Sequence, residues 1–135
     1  MGSVTINRLK LETMELRGIK QLAHGLRGVQ VGLLPNMCAL FILPYAPIKI
    51  NISMWRMQFP LDIIWVGKWA KDGKYRVCHL VENAQPCGFF APQHKTPVPA
   101  FFIIEASVGT IKAAKARVGS IVKIEVDKHD EQGKN

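Results

Sequence analysis

The chain has 135 residues and carries 18 Lys and Arg against 10 Asp and Glu, a net charge of +8 with a pI near 9.7. That length suits one domain with its own core, and 48% hydrophobic with 21% charged residues excludes wholesale disorder. Cys38, Cys78 and Cys87 are odd in number and have no CxxC spacing, which argues against a secreted disulfide framework and points to a reducing, cytoplasmic setting.

Val4 to Leu11 reads as a first strand with imperfect alternation. Next, TMELRGIKQLAHGLRG predicts a helix: Thr13 is the cap, Leu16, Ile19, Ala23 and Leu26 recur at helical spacing, and Gly28 is the stop. From residue 39 the pattern turns to strands. ALFIL is a short buried run, and IKINIS sets Ile48, Ile50 and Ile52 against Lys49, Asn51 and Ser53. ALFILPYAPIKI is the longest apolar stretch; Pro44, Pro47 and Lys49 break it, and it falls short of the ~20 residues of a membrane span. No export signal is visible at the N-terminus, and no membrane partner is expected.

LDIIWV forms another strand, KDGK at 71–74 a tight turn, and YRVCHLVE the return strand. Tyr75, Val77, His79 and Val81 fall on one of its faces, and Arg76, Cys78, Leu80 and Glu82 on the other. Residues 83–99 contain four prolines and form a connection that excludes helix and central strand. Phe89 and Phe90 within it either tuck onto the core or offer a contact surface. FFIIE is a strand. TIKAAKAR is a short helix capped by Thr110, with Ile111, Ala114 and Val118 facing in and Gly119 past its end. SIVKIEV closes the fold. The expectation is one α+β domain over 1–127, with six or seven strands and two short helices, and a polar tail at 128–135.

Three segments together resemble a known family: MWRMQFPLDIIWV, ENAQPC, and FFIIEASVGTIKAAKARVGSIVKI. They are similar to the small proteins of domain-of-unknown-function family 192, over roughly residues 24–125. The correspondence rests on Met54, on Pro60-Leu61-Asp62, on Glu82, Pro86 and Cys87, and on Glu105, Gly109 and Gly119. Ser53 stands where that family has Trp, Trp55-Arg56-Met57 where it has a polar Lys-Asn-Thr, and Ser120 where it has Asp. The resemblance implies an α+β fold with a curled, mostly antiparallel sheet, and assigns no activity.

The candidate chemistry is sparse. Asp62 is a carboxylate among apolar neighbours. It either fixes the turn after Pro60 by accepting backbone or arginine bonds, or acts as a base or ligand contact. Glu105 is similarly placed, and the two would form an acid/base couple if they met. Glu82 completes a set of three weak catalytic candidates. Cys78 and His79 are strand neighbours that should point to opposite faces, and they lack zinc spacing with Cys87 or His94, so no metal is expected. Cys87 with His94 or His79 also lacks the orienting context of a nucleophilic pair. No P-loop, GxGxxG or GxSxG is present, so no cofactor is expected.

The basic residues are more suggestive. Arg17, Lys20, His24 and Arg27 share a face of the first predicted helix, and Lys112, Lys115 and Arg117 cluster on the second. Such faces neutralise phosphates or are merely solvated. Three functions therefore compete. One is a non-enzymatic basic protein binding RNA or built into a ribonucleoprotein such as the ribosome. Another is a small-ligand module or minor enzyme using Asp62, Glu82 and Glu105. The last is a protein adaptor presenting Met54, Trp55, Arg56, Met57, Phe89 and Phe90, with the 83–99 loop as the partner contact. The charge favours the first.

Overall fold

The computed structural model describes residues 2–17, 36–52, 54, 57, 59–86, 94 and 98–126. Seven strands form one sheet: β1 (Ser3–Ile6), β2 (Leu9–Leu16), β3 (Met37–Ile42), β4 (Leu61–Lys68), β5 (Tyr75–Ala84), β6 (Phe102–Ala106) and β7 (Val122–Glu125). The spatial order is β5-β4-β6-β3-β2-β1-β7. All pairs are antiparallel except β2 with β3. The sheet curls until its outer strands approach: Arg76 bridges Ile121, and Val77 exchanges backbone hydrogen bonds with Gly119 and Ser120 at 2.8 and 2.9 Å. Among the described residues there is one helix, α1 (Thr110–Ala114).

The single first strand expected from Val4 to Leu11 is instead a hairpin. Asn7 takes a left-handed φ of 54°, and the turn brings Ile6 opposite Leu9. Short polar side chains tolerate this conformation. The helix predicted to start at Thr13 does not begin there. Thr13 to Leu16 continue β2, and Thr13 is buried beside Cys38 of β3. The parallel ladder to β3 over Glu12–Leu16 outweighs a weak helical propensity diluted by glycines. The remainder of that predicted helix, residues 18–28, lies outside the described residues, as does the 128–135 tail.

Both faces of the sheet are buried. Inside the curl lie Val4, Ile6, Leu11, Leu40, Ile64, Val66 and Ile104, with Ile111 and Ala114 of α1. The outer face carries Phe41, Ile63, Trp65 and Ile103, covered by Leu43, Met54 and Met57. Burial on both faces accounts for the apolar character of β4, whose first seven residues, Asp62 included, are all buried. Each large apolar side chain among them contributes roughly 1.5–3 kcal/mol on burial. The IKINIS alternation survives in burial, but not as a regular strand: Ile48 and Ile52 make isolated bridges to Ala100 and His94. Trp65 Nε1 donates to the Ile50 carbonyl at 3.1 Å and ties this segment to the sheet.

Two bulges distort β5. Trp65 faces His79 while Val66 faces Val77, so Cys78 is the extra residue; Leu61 faces Ala84 while Ile63 faces Val81. Strict alternation along YRVCHLVE therefore fails. Cys78 joins the outer core that contains Trp65, and the His79 ring packs against Trp65 at a tilt of 53° with centroids 5.0 Å apart.

Candidate functional site

Asp62 is the second residue of β4 and is only 1% exposed. The bulge around Asn83, held at φ 53°, frees that residue's amide, which donates to Asp62 Oδ1 at 2.9 Å. The amides of Gly109 and Ile111 donate to Oδ2 at 3.1 and 2.9 Å. A carboxylate thus occupies the start of α1, where helix amides lack partners of their own. Thr110 was expected to cap this helix. It sits inside the first turn instead, and its hydroxyl donates to the Ser107 carbonyl at 2.7 Å. Asp62 accepts backbone amides, as one of its two readings expected, but those amides belong to β5 and the start of α1 rather than to the turn after Pro60.

Glu105 does not meet Asp62. Asp62 pairs with Ala106 and Glu105 with Ile63, so alternation sends the two carboxyls to opposite faces of the sheet. Glu105 lies between Ala39 and Ile63 on the outer face, 6% exposed, with no hydrogen bond to its carboxyl among the described residues. Burial pushes its pKa up to about 7. Glu82 is exposed on β5 and joins neither acid. The three carboxylates therefore do not assemble into one site.

The predicted contact residues also separate. Met54 and Met57 are buried in the outer core and cannot present a partner surface, contrary to expectation. Trp55, Arg56, Phe89 and Phe90 fall outside the described residues, as do Cys87 and most of the 83–99 connection. Among the described residues no three His, Cys, Asp or Glu side chains cluster as metal ligands would.

The basic stripe is rearranged. Arg17 directly follows β2 rather than riding on a helix, and it pairs with Glu15 at 3.2 Å. Lys20, His24 and Arg27 lie outside the described residues. Lys112 is exposed on α1, Lys115 is its left-handed C-cap, and Arg117 follows in the next turn. Val118, expected to face in, is 60% exposed because the helix has already ended.

Lys115 and Arg117 meet a residue the sequence reading missed. Arg8, at the tip of the β1–β2 hairpin, joins them around an open groove of about 700 Å³. Leu9, Ala113 and Ala114 form its apolar part, with Asn7 and Ser120 at its polar edge. Asn7 Nδ2 donates to the Ala114 and Lys115 carbonyls at 2.7 and 3.2 Å, pinning the hairpin to the end of α1. The Arg117 amide donates to Ser120 Oγ at 3.0 Å. Among the described residues no acidic side chain lines the groove, and no carboxylate pairs with Arg8, Lys115 or Arg117. The signal for Arg8 was present in the sequence: the apolar phase jumps from Val4 and Ile6 to Leu9 and Leu11, the mark of a two-residue turn.

The fold is similar to solved structures. A protein of unknown function from Novosphingobium aromaticivorans superposes with a TM-score of 0.75 at 22% identity, over 90% of this chain and 83% of that one. A Sinorhizobium meliloti protein described as a "putative transcription regulator" also gives 0.75, at 18% identity over 92% and 94%. No curated protein matches the chain. None of the described helices is long and apolar enough to cross a membrane. The family pattern of DUF192, Uncharacterized ACR, matches residues 6–124, and the chain belongs to that family.

Proposed function

We propose that the protein is a non-enzymatic, basic protein of the cytoplasm that binds RNA through the groove at the end of α1. The observation that carries this reading is the convergence of Arg8, Lys115 and Arg117 on one acid-free groove, from two segments more than 100 residues apart in sequence. Exposed Lys112 extends the charge along α1. No aromatic residue among the described ones lines the groove, which favours phosphate contact over base stacking. Binding is then tolerant of sequence and strongly dependent on salt.

Fluorescence anisotropy with a labelled single-stranded RNA, repeated across salt concentrations, tests this. The parent should bind at low salt with a steep log–log slope. The Arg8→Ala, Lys115→Ala, Arg117→Ala triple variant should lose roughly 2 from that slope, about 0.7 per phosphate contact. No binding at low salt, or a triple variant indistinguishable from the parent, would sink the proposal. Recovery of the protein from cells with and without RNase asks the same question in the native setting.

A further inference from the structure

A second cavity, of about 350 Å³, lies at the C-terminal end of β4 and shares no lining residue with the basic groove. That volume is at the small end of ligand sites. Four separate stretches wall it: Pro47, then Gly67, Lys68 and Trp69 at the end of β4, then Cys78 of β5, then Val98, Pro99 and Phe101 before β6. Backbone bonds hold these stretches together. Ile48 and Ala100 exchange both hydrogen bonds at 3.0 and 2.8 Å, and the Phe101 amide donates to the Val66 carbonyl at 2.7 Å.

Gly67 is the feature that secondary structure does not explain. A glycine inside a strand weakens it, and often marks a close approach by another group. Here an added Cβ would sit 3.3 Å from Cys78 Cβ and 3.5 Å from the Pro99 carbonyl oxygen, both on residues that line the cavity. The absence of a side chain lets Cys78 and the Pro99 carbonyl close in on β4 at the edge of the cavity. The walls are otherwise aromatic, prolyl and aliphatic, with one charge. Lys68 is exposed and has no carboxylate partner among the described residues. Its ammonium lies 5.4 Å from the Tyr75 ring centre, and Tyr75 stands edge-on to Phe101 of the cavity wall at 5.6 Å. A single cation thus lies over the Tyr75 ring beside an apolar slot.

The geometry points to a binding site for a small aromatic carboxylate, its ring against Trp69 and Phe101 and its carboxylate on Lys68. Lys68 selects for the negative charge, and the walls select for a flat apolar body. This site is independent of the RNA-binding groove.

The test is a ¹H–¹⁵N titration of the full chain with benzoate, and with benzyl alcohol as a neutral analogue. Benzoate should shift the amides of Gly67, Lys68, Trp69 and Phe101 saturably, with half-saturation below about 1 mM, and at least tenfold tighter than benzyl alcohol. Lys68→Gln, at an exposed position, should remove that tenfold preference while leaving the rest of the spectrum unchanged. Gly67→Ala should abolish both ligands' effects. Three results would overturn the inference: no saturable shifts with benzoate, shifts confined to Arg8, Lys115 and Arg117, or equal binding of both compounds unaffected by Lys68→Gln.

Discussion

Replacing Asp62 by alanine removes the acceptor of three backbone amides at once, those of Asn83, Gly109 and Ile111. Their surroundings differ. Asn83 and Gly109 are exposed residues, and water can take over their N–H groups at a loss of about 1 kcal/mol each or less. Ile111 is 3% exposed, so its amide bears most of the ~1–3 kcal/mol cost of an unpaired buried donor. Release of a buried charge offsets part of the total. The expected loss is about 3 kcal/mol. Asp62→Asn keeps the shape and one neutral acceptor, which satisfies either Asn83 or the helix amides but not both, so about 1–2 kcal/mol is expected. Urea unfolding followed by tryptophan fluorescence measures both, with an unchanged m-value confirming that the transition is the same. Hydrogen exchange at the Ile111 amide gives the local readout. If Asp62→Ala changes stability by less than about 1 kcal/mol and leaves Ile111 protected, the capping argument is wrong and the ligand-contact reading of Asp62 returns.

The Glu105 carboxyl, with a pKa of about 7 against an ordinary 4.5, binds its proton more tightly in the folded state. Its stabilising contribution is therefore complete below about pH 4.5 and lost as pH rises through 7, about 3 kcal/mol in all. Glu105→Gln should match the parent near pH 4.5 and exceed it in urea midpoint at pH 8; parallel pH profiles would show that burial does not control this group. At the hairpin tip, Asn7→Gly keeps the left-handed turn but loses two side-chain bonds, and should cost about 1 kcal/mol. Asn7→Ala adds the left-handed penalty of roughly 1–2 kcal/mol, so equal thermal midpoints for the two variants would contradict the turn assignment.

Features that depend on local chemistry were legible in the sequence. The apolar run of β4, the Asp72-Gly73 turn with Gly73 at φ 68°, and buried Ile111 and Ala114 follow from pattern and turn propensity alone. Features that depend on pairing were not. Leu16 fits a helical repeat as well as a strand until β3 is known to lie beside it. Asp62 and Glu105 could be imagined as a pair only while the register was unknown, because one residue of offset decides the face. The bulge at Cys78 leaves no distinctive residue in the sequence, yet it reverses the face assignments that follow.

The helix α1 shows how pairing at a distance shapes the proposed site. Five residues are far too few for a helix to persist alone. This one is held at its start by Asp62, from 47 residues away along the chain, and at its end by Asn7, from 107 residues away. Its carbonyls at Ala114 and Lys115, which would otherwise repel an anion through their partial negative charge, are occupied by the Asn7 amide. Lys115 and Arg117 are fixed through their backbones, by the left-handed cap and by the bond to Ser120. Arg8 is fixed by the hairpin turn. None of the three needs a carboxylate to hold it in place, so their charges remain available to an incoming phosphate. On this argument Asn7, which carries no charge, matters to the groove as much as the cations do. Asn7→Gly should weaken RNA binding without altering the charge, while the salt slope stays close to that of the parent. A reduced slope in Asn7→Gly would mean that the hairpin and α1 had come apart and Arg8 had left the groove.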